Sequence, residues 1–423
     1  MIKLNFLGAL GTIGASGLLV EYGANKIVID YGVKVSDTPP SYPFEVKGIV
    51  TSAFLSHCHL DHSGALPLLL KRNNLDKIYS TKVTKELTEL LLIDSIKVNR
   101  EEGVELKFSE EDVEKTMKIF RYLEYGESLK LKNNVEVTFY DAGHIPGSAF
   151  VFMDLDGKHL LYTGDFNTED TRLIKGCEKN LPEVDILITE GTYYDRNHPD
   201  RESQEKELVK IIRETLANDG ITIVSGFAVG RIDELLLVLD KYGIDYPVYV
   251  DGMAKKAITI INKYQNFLKD PKSLDKALRK VEFITEDYQR KKVLKEPCVV
   301  LTTSGMLKGG PVVWYLEKLY SRKNCSLVIT GFQVEGTPGK KLLDTGYYIN
   351  EKYGLNLKLK MGFKRLDFSS HVGRDNLIDF IKKLNPEKIY CVHSDNTEGF
   401  KEELEKQGFD AVAPSPENRF FNI

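Results

Sequence analysis

Apolar residues in this chain recur in short runs that stop abruptly at polar residues, the pattern of half-buried and buried strands in a layered fold. Segments 3–7, 17–21 and 26–30 predict three strands separated by glycine-bearing turns, and 48–55 predicts another. The run Gly64-Ala65-Leu66-Pro67-Leu68-Leu69-Leu70 opens a helix, so Ser56-His57-Cys58-His59-Leu60-Asp61-His62-Ser63 lies on a strand-to-helix loop. A strand over 77–81 then leads to a helix capped at Thr84 with Leu87, Leu90 and Leu91 on one face. Ser109 followed by Asp112 marks a capping-box start for the next helix. Segment 135–140 reads as a strand, 149–153 and 158–162 as a hairpin across Asp156-Gly157, and 185–189 as one more strand.

After residue 190 the pattern changes. A helix over 203–218, a strand over 221–225, the loop Gly226-Phe227-Ala228-Val229-Gly230-Arg231 and a helix over 232–239 give the βα alternation of a parallel sheet, with further strands at 248–250, 298–302 and 327–330. The loop 303–310 that follows one of them is glycine-rich, as a backbone approaching phosphates must be. Past about 340 short strands return, followed by a helix over 376–384 and a strand over 388–392.

Composition narrows the class. With 423 residues, 42% hydrophobic and 28% charged, the chain predicts two or three packed domains. No apolar run is long enough to span a bilayer and the amino terminus carries no signal-peptide pattern, so a cytoplasmic protein with no membrane association is expected. The five cysteines are scattered singly, which argues against a disulfide framework and against a structural zinc ribbon. A net charge of −4 conceals an asymmetry, because residues 191–340 hold 24 Lys and Arg against 20 Asp and Glu. The excess fits an anionic substrate and equally fits ordinary solvated charge.

The strand ends carry the candidate chemistry. Three of the eight histidines fall between 57 and 62. His57 and His59, two apart in an extended segment, point the same way and can share one ion, while Asp61 and His62 face a second. Imidazole with carboxylate suits zinc, with iron or manganese as lesser fits. His144, Asp165, His371 and His393 repeat the setting, each a polar residue just past an apolar run. Asp30, which ends the third strand, reads equally as a partner that fixes a ligand imidazole's tautomer or as a strand cap. His159 and His198 have no such setting and read as surface residues.

The set His57-x-His59-x-Asp61-His62 with His144, Asp165 and His393 resembles the seven-ligand, two-metal site of the metallo-β-lactamase fold, and Glu190, His371 and His393 resemble the additional motifs of its β-CASP branch. Phe227-Ala228-x-Gly230-Arg231, Thr303-Ser304-Gly305-Met306 and Gly331-Phe332-Gln333-Val334-Glu335-Gly336-Thr337 are similar to the subgroup of the cleavage and polyadenylation specificity factor endonuclease and its archaeal homologues. The resemblance implies an α/β fold: an αββα sandwich from 1–190 and 341–423, with a β-CASP domain, a parallel sheet flanked by helices, inserted at 191–340. It also implies the form without RNA-binding KH modules ahead of the sandwich.

Function follows from the same resemblance. It implies a zinc-dependent ribonuclease, endonucleolytic or 5′→3′ exonucleolytic, acting on single-stranded RNA with two zinc ions per chain. His57, His59 and His144 would hold one ion, Asp61, His62 and His393 the other, and Asp165 would bridge. His371 would be the general acid supported by Glu190, with Asp61 completing the catalytic set. RNA contacts are expected at Arg231, Ser304, Gly305, Ser369 and Ser370, and a homodimer and association with other RNA-processing factors are the expected assemblies. Two other readings use the same loop: a small-molecule metallo-hydrolase of the thioesterase or lactonase type, and a scaffold subunit without catalysis.

Overall fold

The computed structural model describes residues 1–423, and the chain folds into two compact units. The first comprises 1–170, 175–197 and 370–423, and the second 171–174 and 198–369.

Two seven-stranded sheets build the first unit. One runs in the order Phe420–Asn422, Lys3–Phe6, Gly17–Tyr22, Asn25–Tyr31, Ser52–Phe54, Ile78–Ser80, Phe120–Tyr122. The other runs Ala411–Val412, Lys388–Val392, Ile186–Glu190, His159–Tyr162, Ala149–Leu155, Val135–Asp141, Ser128–Lys130. Side-chain alternation gives each sheet two apolar faces. Phe6, Val20, Ile29 and Phe54 of the first sheet meet Phe139, Val151, Met153 and Ile188 of the second in a shared core. On the outer face of the first sheet, Val28, Ala53 and Ile78 pack with Leu68 and Leu69 of helix Leu66–Arg72, Leu92 of helix Lys82–Glu101 and Val113 of helix Glu110–Lys118. The outer face of the second is covered by Leu377 and Ile381 of helix Arg374–Leu384 and Phe400 of helix Thr397–Lys406. These four layers make the αββα sandwich.

The second unit is built on a six-stranded sheet, ordered Val281–Phe283, Val248–Asp251, Cys298–Thr302, Ile221–Ser225, Ser326–Ile329, Gly362–Arg365, with every pairing parallel. Helices bury both faces, so its central strands are buried at every position, without alternation.

Several boundaries fall away from the sequence pattern. The second unit takes in 171–174, its main stretch opens at His198, and it runs past 340 to Ser369 because Gly362–Arg365 adds a sixth strand parallel to Ser326–Ile329. The long helix starts at Lys82 and is capped by Thr81, whose hydroxyl accepts the Thr84 amide. Its buried stripe is Leu87, Thr88, Leu91 and Leu92, with Leu90 only half-buried. The capping box of Ser109 and Asp112 is formed in full.

Candidate metal centre

All seven expected ligands converge in the first unit. His57, His59 and His144 group with Asp165, and Asp61, His62 and His393 group with the same Asp165, the candidate ligand atoms in each group lying within 4.8 Å of one another. Asp165 faces both groups with different atoms. Its Oδ2 lies 3.5 Å from His57 Nε2 and 3.8 Å from His144 Nε2, while Oδ1 lies 3.3 Å from His62 Nε2 and 3.3 Å from His393 Nδ1. His393 Nε2 is 3.3 Å from Asp61 Oδ2.

Strand ends deliver these side chains because a strand that stops at the sheet rim leaves its next residues free to turn inward. Asp30 closes strand Asn25–Tyr31 with φ +56°, and its carboxylate organises the histidine loop from below. It accepts the Ser56 amide at 2.8 Å, the Ser56 hydroxyl at 2.7 Å, the Tyr162 hydroxyl at 3.0 Å and His62 Nδ1–H at 2.6 Å. Because Ser56 Oγ gives its proton to Asp30, it can only accept from His57 Nδ1–H, 3.1 Å away. One carboxylate thereby fixes the Nδ1–H of both rings and turns Nε2 of His57 and His62 toward Asp165. Gly32 makes the approach possible, since a Cβ there would sit 1.8 Å from the Asp61 carbonyl oxygen.

His144 is fixed in the same way from elsewhere, its Nδ1–H donating to the Ser370 carbonyl at 2.9 Å. His144 Nε2 and His59 Nδ1 then face each other at 3.2 Å. Behind this pair stands His371, its ring centroid 4.6 Å from that of His144 and its Nδ1 2.9 Å from Glu190 Oε2. Glu190 is held by the Phe166 amide at 2.8 Å.

The donor set fits divalent cations. His57 Nε2 and Asp165 Oδ1 are buried with no hydrogen-bond partner, a costly arrangement unless something else binds them. Burial, with neighbouring imidazoles, holds His57 and His144 below the usual histidine range and takes His59 down to about 3, so all three are neutral and have a lone pair to give. Burial opposes charge on His62 and His393 too, yet Asp165 with Asp30 or Asp61 raises both. For Asp165 itself burial is overcome by His393 and His62, which hold the carboxyl well below its ordinary range. Asp165 is shared by both groups and by a third with Glu190 and His371, so buried carboxylate with half-buried Asp61 makes the site one that calls for positive charge.

The expected RNA contacts separate into two groups. Ser370 belongs to the first unit, where its contribution is the carbonyl held by His144. Arg231, Ser304, Gly305 and Ser369 belong to the second unit. There Ser304 Oγ closes its own loop on the Gly309 carbonyl at 3.1 Å, Gly305 takes the Gln333 side-chain amide on its carbonyl, and the Ser369 carbonyl accepts from Arg201. His198, expected on the surface, lies 3.2 Å from Asp367 with its side chain 16% exposed. Sequence reading also missed Ser56, Tyr162 and Thr192, the last hydrogen-bonded to His393. Hydroxyls of this kind carry no spacing signature.

Three family matches tile the chain: a metallo-β-lactamase superfamily domain over 19–188, a β-CASP domain over 232–342, and a Zn-dependent metallo-hydrolase RNA specificity domain over 356–414. A protein of Methanocaldococcus jannaschii named probable RNase MJ4 is 34% identical, covering 98% of each chain. RNase aCSPSF2 of Saccharolobus solfataricus is also 34% identical, over 98% of this chain and 84% of that one. Transcription termination factor FttA of M. jannaschii is 32% identical, and the match spans 67% of its length. A crystal structure described as a protein of unknown function from Enterococcus faecalis V583 shares the fold with a TM-score of 0.63 at 14% identity, over 100% of both chains.

Proposed function

The chain belongs to the β-CASP branch of the metallo-β-lactamase superfamily, and from that membership we propose that it is a zinc-dependent ribonuclease that hydrolyses single-stranded RNA at the His/Asp cluster. The observation that carries the reading is the division of Asp165, one oxygen turned to His57 and His144 and the other to His62 and His393. Such a division supports two ions with one bridging carboxylate. His57, His59 and His144 would hold the first, and Asp61, His62 and His393 the second. Imidazole and carboxylate without thiolate suit zinc. The RNA reading is supported by the RNA specificity domain match and by the names of the ribonuclease relatives.

When bound, two such ions supply Lewis acidity to a phosphate oxygen and lower the pKa of an attacking water. The chain's own residues do the rest. Glu190 takes Nδ1–H of His371, which turns the opposite edge of the ring outward with its Nε2–H. Burial would strip His371 of its proton, but Glu190 and Asp165 outweigh it and raise its pKa to about 9. A protonated His371 can pass the Nε2 proton to the departing oxygen as the phosphodiester bond breaks, leaving a neutral imidazole still held by Glu190. Asp30 and the Ser370 carbonyl hold His57, His62 and His144 in the tautomers that ligation needs.

Replacing Asp165 by alanine tests the reading. The purified wild type should carry about two zinc equivalents and cut a labelled RNA while leaving a chromogenic thioester intact. Asp165→Ala should lose metal from both groups together with RNA cleavage. Two full equivalents in that variant would remove Asp165 from the bridging role, and thioester turnover without RNA cleavage would replace the ribonuclease reading.

A further inference from the structure

The second unit concentrates its positive charge in one stretch. Residues 254–295 hold twelve Lys and Arg against five Asp and Glu, a local excess of seven that surpasses the excess of four across 191–340. The rest of that region is therefore net acidic. The stretch runs through helix Ala254–Lys263, helix Pro271–Leu278, the sheet-edge strand Val281–Phe283 and helix Asp287–Val293. Lys255 Nζ donates to the Ile284 carbonyl, tying the first helix to the turn that precedes the last.

The first two helices bury a small apolar stripe and the last buries Val293, and most of their cations are exposed. Some are neutralised: Lys276 and Lys280 both reach Asp240, and Arg290 pairs with Asp251. Lys256, Lys272, Arg279, Lys291, Lys292 and Lys295 make no salt bridge, and all six are exposed. Lys256, Lys272 and Arg279 belong to the helices that pack with helix Arg231–Lys241, whereas Lys291, Lys292 and Lys295 lie on or just past helix Asp287–Val293, whose Val293 packs in the core of Val300 and Tyr315. These last three, adjacent along one helix and unpaired, repel one another, a cost that a polyanion would relieve.

Tyr288 adds a second feature. It is 71% exposed, and on the same helix it stands one turn from Lys291 and Lys292. A bare aromatic face flanked by cations matches a strand whose bases are free to stack and whose phosphates lie alongside. An acidic peptide would use the lysines but has no base to place on the ring.

We infer that the exposed face carrying Tyr288, Lys291, Lys292 and Lys295 in the second unit is a docking track for single-stranded RNA. The inference rests on the ribonuclease reading and adds where a long substrate is held. Its test is equilibrium binding of a phosphorothioate-protected RNA of about 30 nucleotides to the zinc-loaded protein across a salt series. In K291Q/K292Q/K295Q the slope of log affinity against log salt should shrink by about 2, three phosphate contacts having been removed, and affinity should fall roughly tenfold at physiological salt. Tyr288→Ala should lower affinity roughly tenfold with the slope unchanged, because stacking is uncharged. K97Q/K118Q/K382Q, which removes three exposed lysines from the first unit, should move neither quantity.

A wild-type slope in K291Q/K292Q/K295Q, or an equal change in K97Q/K118Q/K382Q, would overturn the track. Unchanged RNA affinity with weakened binding of polyglutamate would assign the surface to an acidic protein instead. If the wild type bound no RNA at any salt, the ribonuclease reading would itself fail and take the track with it.

Discussion

At the scale of single residues, His371 separates ligation from proton transfer. It touches Glu190 and the back of His144 while standing outside both ligand groups, so His371→Ala should keep zinc and RNA affinity but lose roughly 10²–10⁴ in rate. A substrate with a 5′-phosphorothiolate at the scissile bond, whose sulfur departs without a proton, should restore most of that loss. Persistent failure on that substrate with full zinc content would leave His371 a positioning role only. The pH profile gives the sign. The acid form exists below a pKa raised to about 9 and vanishes above it, so the wild-type rate should fall on the alkaline side. Cations beside Asp165 and Asp61 weaken two of the three carboxylate charges that raise His371, moving this limb lower in the loaded enzyme, and the limb should be absent in His371→Ala.

Asp233 offers an independent residue-scale test, this time of stability. Both of its oxygens are buried without a hydrogen-bond partner, and burial pushes the carboxyl up to about 7 against a smaller pull from the Gly230 and Asp233 amides. In the unfolded chain the same group ionises near 3.8, so the folded state binds the extra proton between these values and stability falls as pH rises through that window. Asp233→Asn should therefore stabilise the protein at pH 8 by something on the order of 4 kcal/mol and change little near pH 4. Equal melting curves for the two proteins at pH 8 would contradict the assignment.

At the scale of elements, the loop 141–148 shows how a helix start can set a metal ligand. The Thr81 and Thr84 hydroxyls both donate to the Gly147 carbonyl, at 3.0 and 2.9 Å, and Ser148 Oγ accepts the His144 amide at 3.1 Å. Gly147 has φ +85°, and a Cβ there would meet Val83 Cγ1 at 2.2 Å. Gly147→Ala should push the loop off the helix and displace His144, leaving about one metal equivalent per chain while the His62 group stays loaded. Two equivalents by elemental analysis would show that the loop adapts.

The same elements mark what the sequence pattern reveals and what it hides. The residues of the two candidate groups are legible because they follow runs of strand residues, and strand 388–392, with His393 just past it, matches its predicted bounds. Strand Gly362–Arg365 is not legible. It is an edge strand whose residues are mostly exposed, so it lacks the apolar run that announces its neighbours. Helix Arg231–Lys241 buries nine consecutive residues, so it is legible at 232–239 from its place after strand 221–225 and not from the 3.6-residue rhythm of a half-exposed helix. Thr84 reads as a cap because it precedes the leucines, but the hydroxyl that accepts the Thr84 amide is that of Thr81. His198 is paired through the fold to Asp367, far along the chain, and no local spacing encodes such a contact.

At the scale of the whole molecule, the first unit collects its site from three separated stretches of chain: 30–62, 144–190 and 370–393. Folding must therefore close long loops before any ligand group is complete, and until cations arrive the carboxylates are balanced by the site's own imidazoles, His62, His371 and His393. Metal loading and catalytic competence should rise together. The most direct measurement is single-turnover RNA cleavage by chelator-stripped protein as zinc is added back. No cleavage without zinc, and a rate that reaches its plateau at about two equivalents per chain, is the predicted result. Undiminished cleavage by the stripped protein, or a plateau at one equivalent, would contradict a two-ion centre divided by Asp165.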